Sequence, residues 1–167
     1  MKAARKDPRH RAREAALQIL YHWEIGRTDV ASAADTFFGL QWTDADGPPD
    51  DLRTFATELA HDTVRHLDQA DTLIAETAER WRPERMAVLD RLILRMAAAE
   101  LMRVVGTPAG RTSDRGPSDS SGRNDAAPPA VVINEALELA RTFSTEESVK
   151  FINGMLDAIR KKLEASV

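Results

Sequence analysis

The stretch RMAVLDRLILRMAAAELMRVV, Arg85 to Val105, constrains this chain more than any other. At 100° per residue its Leu, Ile, Val, Met and Ala cover most of a helical circumference, and a helix that is apolar all round must be enclosed by other elements. The spacing therefore predicts the central helix of a bundle. Glu100 falls on the most apolar line of that helix. A buried carboxylate needs a cation or hydrogen-bond donors beside it, so a structural partner for Glu100 is expected elsewhere in the chain.

Strand-like alternation is nearly absent and helical spacing recurs in almost every segment outside the loops, which predicts an all-α, single-domain bundle of about seven helices over 1–167. Asp7 can cap a first helix with Pro8 at its first position, and Ala12, Ala16, Ile19, Leu20 and Trp23 then recur on one face up to Gly26. Further helices are expected over Val30–Leu40, near Asp51–Leu67 and near Asp68–Trp81, with Thr43–Asp50 as a loop. Gly106 to Pro129 is rich in Gly, Pro, Ser, Asp and Arg with almost nothing apolar, and reads as a disordered insertion. Beyond it, Ile133, Ala136, Leu137 and Ala140 mark a helix ending at Phe143. Ser144 with Glu147 fits a capping box for a last helical element, either one helix or two broken near Ser148.

With 43% hydrophobic residues, 167 residues suffice for one core and not for two sizeable ones. The chain has no cysteine and no apolar run near the roughly 18 residues that span a bilayer, and its basic start lacks the apolar region of a secretory signal. A soluble, cytoplasmic protein is the expectation. The net charge of −4 conceals segregation: Lys2, Arg5, Lys6, Arg9, Arg11 and Arg13 crowd an N-terminal arm over 1–13, whereas residues 28–79 hold twelve Asp or Glu against Arg53 and Arg65. A basic arm suits nucleic acid and an acidic surface suits a basic protein, although a solvated tail and an ordinary acidic surface give the same pattern.

Enzyme signatures do not emerge. The glycines of Gly106–Gly122 lack the strand-to-helix context of a phosphate or dinucleotide loop, and no nucleophile elbow is present. His61 and His66 are five residues apart, which turns them away from each other on a helix, unlike an i,i+4 metal pair. Neither a metal nor another cofactor is implied.

The first helix carries more information. Arg11, Glu14, Gln18, Tyr21 and Ile25 line up opposite its core face and extend the basic arm. Cations neutralise phosphates, an amide reads a base edge, and an exposed ring stacks on an unpaired base for roughly 1–3 kcal/mol, so the set suits single-stranded RNA. Tyr21 reads equally as a core-rimming residue with its hydroxyl in water. Phe151 lies about 110° off the centre of the last helix's apolar stripe, beside Lys150. If that helix packs beside the first, Lys150 and Phe151 continue the RNA-facing surface; otherwise Phe151 packs with Met155.

At RHRAREAALQILYHWE (Arg9 to Glu24), DRLILRMAAAEL (Asp90 to Leu101) and VVINEALELARTFSTEESVKFINGMLDAI (Val131 to Ile159) the chain resembles the NusB family of bacterial transcription antitermination factors. The resemblance implies a non-enzymatic all-helical protein that binds boxA RNA of ribosomal RNA transcripts. It also implies pairing with the small-subunit ribosomal protein NusE and joining the antitermination complex on RNA polymerase. By the same resemblance, Arg9, Arg11, Arg13, Gln18, Tyr21 and Phe151 match the RNA surface with Glu147 nearby, and Asp90 and Arg95 match positions near the RNA and partner surfaces. Asn134, Glu135, Asn153 and Gly154 match signature positions read here as structural, Gly154 for close helix approach. The chain departs from the family in having Ala99 where an aromatic is usual, Ala130 where Lys is frequent, and a long segment in place of a short connection at Gly106–Pro129. Two other readings stand beside this one. The first is an RNA-targeting module like the N-terminal domain of ribosomal RNA cytosine methyltransferases, disfavoured because Val167 leaves no room for a catalytic domain. The second is a helical protein-interaction adaptor, favoured if the arm makes only intramolecular contacts.

Overall fold

The computed structural model describes residues 7–78, 82–106 and 127–166. Seven α-helices run through them: α1 (Pro8–Gly26), α2 (Val30–Leu40), α3 (Asp50–Arg65), α4 (Leu67–Thr77), α5 (Val88–Val105), α6 (Pro129–Phe143) and α7 (Glu146–Ala165). A single 3-10 turn covers Pro83–Arg85, and no strand occurs among the described residues. Lys2, Arg5 and Lys6 of the arm, and residues 107–126 of the expected insertion, lie outside the described residues.

Local chemistry sets the helix ends. Asp7 accepts the Arg9 backbone N–H at 2.9 Å and Pro8 opens α1, which ends where Arg27 turns left-handed at φ 49°. Asp29 caps α2 through the Ser32 backbone N–H at 2.8 Å. The cap of α7 is Thr145, whose hydroxyl accepts the Ser148 N–H at 3.2 Å, and not Ser144. Ser144 instead gives its hydroxyl to Asp90. From that cap α7 continues unbroken through Ser148. Two expected boundaries shift. Extended backbone at Ala78 (φ −117°, ψ 108°) stops α4 short of Trp81, and extended backbone at Ala87 (φ −57°, ψ 139°) starts α5 at Val88, leaving Arg85 in the preceding turn.

α5 is the central helix: Leu92 to Leu101 are buried without a break, and α1, α3, α4, α6 and α7 all pack on it. Leu17, Ile19 and Leu20 of α1, Leu139 of α6 and Ile152, Leu156 and Ile159 of α7 are fully enclosed in the same core. Each such side chain contributes about 1.5–3 kcal/mol relative to exposure. α1 packs on α2, α3 and α5, with a lighter contact to α6, whereas α7 packs on α4, α5 and α6. The last helix thus does not pack beside the first, because both use their apolar faces on α5. No helix among the described residues is long and apolar enough to cross a membrane.

Candidate nucleic-acid interface

The outer line of α1 keeps most of its expected composition. Arg9 is exposed, with its guanidinium 4.3 Å from the centre of the Phe55 ring on α3. Arg11 donates to Asp44 at 3.0 Å, lies 4.8 Å from the Trp42 ring centre and keeps 39% of its side chain in solvent. Gln18 is half-buried one turn before Tyr21, whose ring is 41% exposed and meets His22 edge-on. The ring contacts of Arg9 and Arg11 and the Arg11–Asp44 ion pair hold these two guanidinium groups in place, which lowers the entropy lost when they engage a strand.

Arg13 is not part of this line. It shares the inward line of Ala16, Leu17 and Leu20, and donates through Nε and Nη2 to the two oxygens of Glu100 at 3.2 and 2.9 Å. Both side chains are at most 5% exposed. The guanidinium is thus the partner that Glu100 required, and it offers no surface to a phosphate. Asp90 and Arg95 are also inside rather than at a rim. Asp90 accepts the Ser144 hydroxyl and, at 2.7 Å, the Ser148 hydroxyl, which ties α5 to the α6–α7 turn. Arg95 forks onto Asp71 of α4 at 2.8 and 2.9 Å, close to Glu24 of α1. A second tie runs from α1 to α6, where His10 lies between Glu14 at 3.0 Å and Glu135 at 2.7 Å.

A separate exposed face belongs to α7, where Glu147, Lys150, Phe151 and Gly154 follow one another at helical spacing. Phe151 is 43% exposed rather than packed into the core. Glu147 stands in the first turn, where the positive end of the helix dipole favours an acid. A Cβ built at Gly154 would meet nothing within 4 Å, so this glycine serves no close approach inside the described chain.

Sequence reasoning passed over one further feature. Where α1 meets the end of α2, a cleft of about 150 Å³ is lined by Arg11, Glu14, Gln18, Gln41, Trp42 and Asp44 among others. The Trp42 ring N–H is buried with no hydrogen-bond partner among the described residues. Such a donor costs about 1–3 kcal/mol. A lone Trp before a loop was its only mark in the sequence.

The family profile of NusB matches residues 10–110 and 123–161. A NusB transcription antitermination protein of Solibacter usitatus is 41% identical over 93% of this chain and 90% of its own length. That of Koribacter versatilis is 39% identical over 94% and 91%. Among solved structures, T. maritima NusB superposes with a TM-score of 0.70 at 28% identity, covering 97% of this chain and 99% of that one. A crystal structure of the antitermination factors NusB and NusE in complex with dsRNA shares the fold, with a TM-score of 0.67 at 22% identity over 93% and 97% of the two chains. With the profile spanning most of its length and relatives above 30% identity along nearly all of it, the chain belongs to the NusB family.

Proposed function

We propose that the chain is a non-enzymatic, RNA-binding antitermination factor that acts as one domain on boxA-type single strands of ribosomal RNA transcripts, together with ribosomal protein NusE. The exposure of Tyr21 and Phe151 carries this reading: among the described Phe, Tyr and Trp side chains these two are exposed and the others are buried or half-buried. An exposed ring beside a cation is a stacking platform for an unpaired base, and Lys150 adjoins Phe151, whereas Arg9 and Arg11 stand about 15–18 Å before Tyr21 along α1, a spacing that one strand can span. A strand that uses both rings has to bridge the helices between α1 and α7. The structure that shares this fold and was solved with NusE and dsRNA is a precedent, in a different protein, for RNA beside such a pair, though with a double strand. The acidic balance of residues 28–79 suits a basic partner such as a ribosomal protein.

One observation favours the adaptor reading: Arg9, Arg11 and Arg13 all have intramolecular partners. Only Arg13 is sealed by them, since Arg9 is exposed and Arg11 partly so. Binding of a boxA-type single strand and of the same bases in shuffled order, each with NusE present, separates the two. Tighter binding of the ordered strand is expected, and no RNA binding by the pair would leave the adaptor.

A further inference from the structure

We propose that His10 is a positioning residue for the RNA surface, a proton-dependent clamp that holds the first turn of α1 where Arg9 and Arg11 can meet a strand; the inference rests on the RNA-binding reading above. Both ring nitrogens face a carboxylate. Nδ1 lies 2.7 Å from Glu135 and Nε2 lies 3.0 Å from Glu14, with the imidazole 13% exposed and each carboxylate 17%. An ionised carboxylate only accepts, whereas a neutral imidazole has one N–H and one lone pair. Whichever tautomer it takes, the neutral ring sets its lone pair against one of the two carboxylates. The imidazolium donates to both, and it is the form that fits this arrangement.

The position of the clamp is the second reason. Arg9, His10 and Arg11 are consecutive, and each reaches a different part of the protein. The Arg9 guanidinium lies against Phe55 of α3, His10 crosses to Glu135 of α6, and Arg11 pairs with Asp44 beyond α2. Helix ends fray, and a strand that binds a frayed turn has to order it first. α1 and α6 touch only lightly, which gives a charge-assisted bond on that side a large share in fixing the turn.

Glu14 on α1 and Glu135 on α6 are the charged groups bonded to the ring among the described residues. From α5, Glu100 is engaged by Arg13, and α3 presents the Phe55 ring to Arg9 and Arg13. As pH rises, loss of the ring's second proton leaves one carboxylate facing a lone pair and frees one side of the turn. Histidine is the side chain suited to make this exchange between about pH 5 and 8.

The test follows the affinity of the full chain with NusE for a boxA-type single strand by fluorescence anisotropy at fixed salt, from about pH 5.5 to about pH 9, which brackets the imidazole range. Wild-type affinity should fall across that range. His10→Arg stays charged and donates from several N–H groups, so it should remove roughly a three- to tenfold part of the fall. The other histidines, NusE and the RNA are common to both proteins, so the difference between the profiles belongs to His10. Parallel profiles overturn the clamp. Glu135→Met distinguishes positioning from direct contact with phosphate: in a protein shown to be folded by its unfolding transition, loss of the α6 anchor should lower affinity at the acidic end. An affinity equal to or above wild type there, as expected when a carboxylate competing for a phosphate-binding ring is removed, overturns the clamp. Should His10→Arg fail to fold, His10→Gln decides, since its profile should be flatter than wild type by a similar factor and a parallel one overturns the clamp. Absence of RNA binding by the wild-type pair at every pH overturns the RNA reading itself, and with it the role given to His10.

Discussion

Arg13 of α1 and Glu100 of α5 face each other inside the bundle, joined by two hydrogen bonds of 3.2 and 2.9 Å and separated by 87 residues of chain. Removing one partner leaves the other charged and buried, a change that costs about 3–5 kcal/mol, whereas replacing both with apolar residues of similar volume is often neutral. Arg13→Ala and Glu100→Gln should therefore each lower stability strongly in urea denaturation. Arg13→Met with Glu100→Met should recover most of the loss. If Arg13→Ala instead weakens RNA binding without loss of stability, its assignment to the core is wrong.

The same assignment alters what salt dependence should show. For a single strand each phosphate contact contributes roughly −0.7 to the slope of log affinity against log salt. Arg9→Gln with Arg11→Gln should flatten the slope by about that amount per lost contact, and a folded Arg13 variant should leave it unchanged. A slope insensitive to Arg9 and Arg11 would assign them to their ring and Asp44 contacts alone.

Phe151→Ala should weaken RNA binding by roughly 1–3 kcal/mol, the worth of one base stacked on an aromatic ring, and leave thermal stability nearly intact because the ring is 43% exposed. The reverse pattern is that of a core phenylalanine, with about 3–5 kcal/mol of folding stability lost and affinity retained. Equilibrium unfolding and RNA titration of one variant preparation distinguish them.

At the start of α2, the backbone N–H and then the hydroxyl of Ser32 hold the Asp29 carboxyl below its usual range. A lowered folded-state pKa means that the cap's contribution is fully present above the unfolded value of about 3.9 and is lost as pH falls through the lower folded value. Asp29→Asn, which keeps an accepting oxygen without the titration, should flatten the acid limb of the stability profile in that window. An acid limb identical to wild type would show that the cap does not contribute to it.

The elements whose signals are local were legible in the sequence. Asp7 with Pro8 marked the start of α1, and the all-round apolarity of Leu92 to Leu101 marked the enclosed helix. Charge was legible, but its direction was not. Arg13 was grouped with Arg9 and Arg11 by proximity along the arm, although its i+3, i+4 and i+7 neighbours Ala16, Leu17 and Leu20 already put it on the core line. Asp90 and Arg95 lie on a helix with no polar face to orient them, so their inward ion pairs and hydroxyl contacts emerge only when α4, α6 and α7 are in place. The Ser144 box was off by one because Ser144 and Thr145 are both good caps, and Asp90 takes the hydroxyl of the first. Whether α7 packs beside α1, the condition on which one of the two readings of Phe151 rested, depends on a packing order that periodicity does not contain.

RNA affinity measured across a titration of NusE at fixed salt tests the heterodimer most directly. The acidic 28–79 segment should steer a basic partner into place, faster at low salt, and the assembled pair should then hold the strand more tightly than the single chain because both proteins contribute contacts. A rise in affinity that saturates with NusE is the expected result; an affinity unchanged at saturating NusE, or lost through competition, contradicts a cooperative RNA-binding heterodimer.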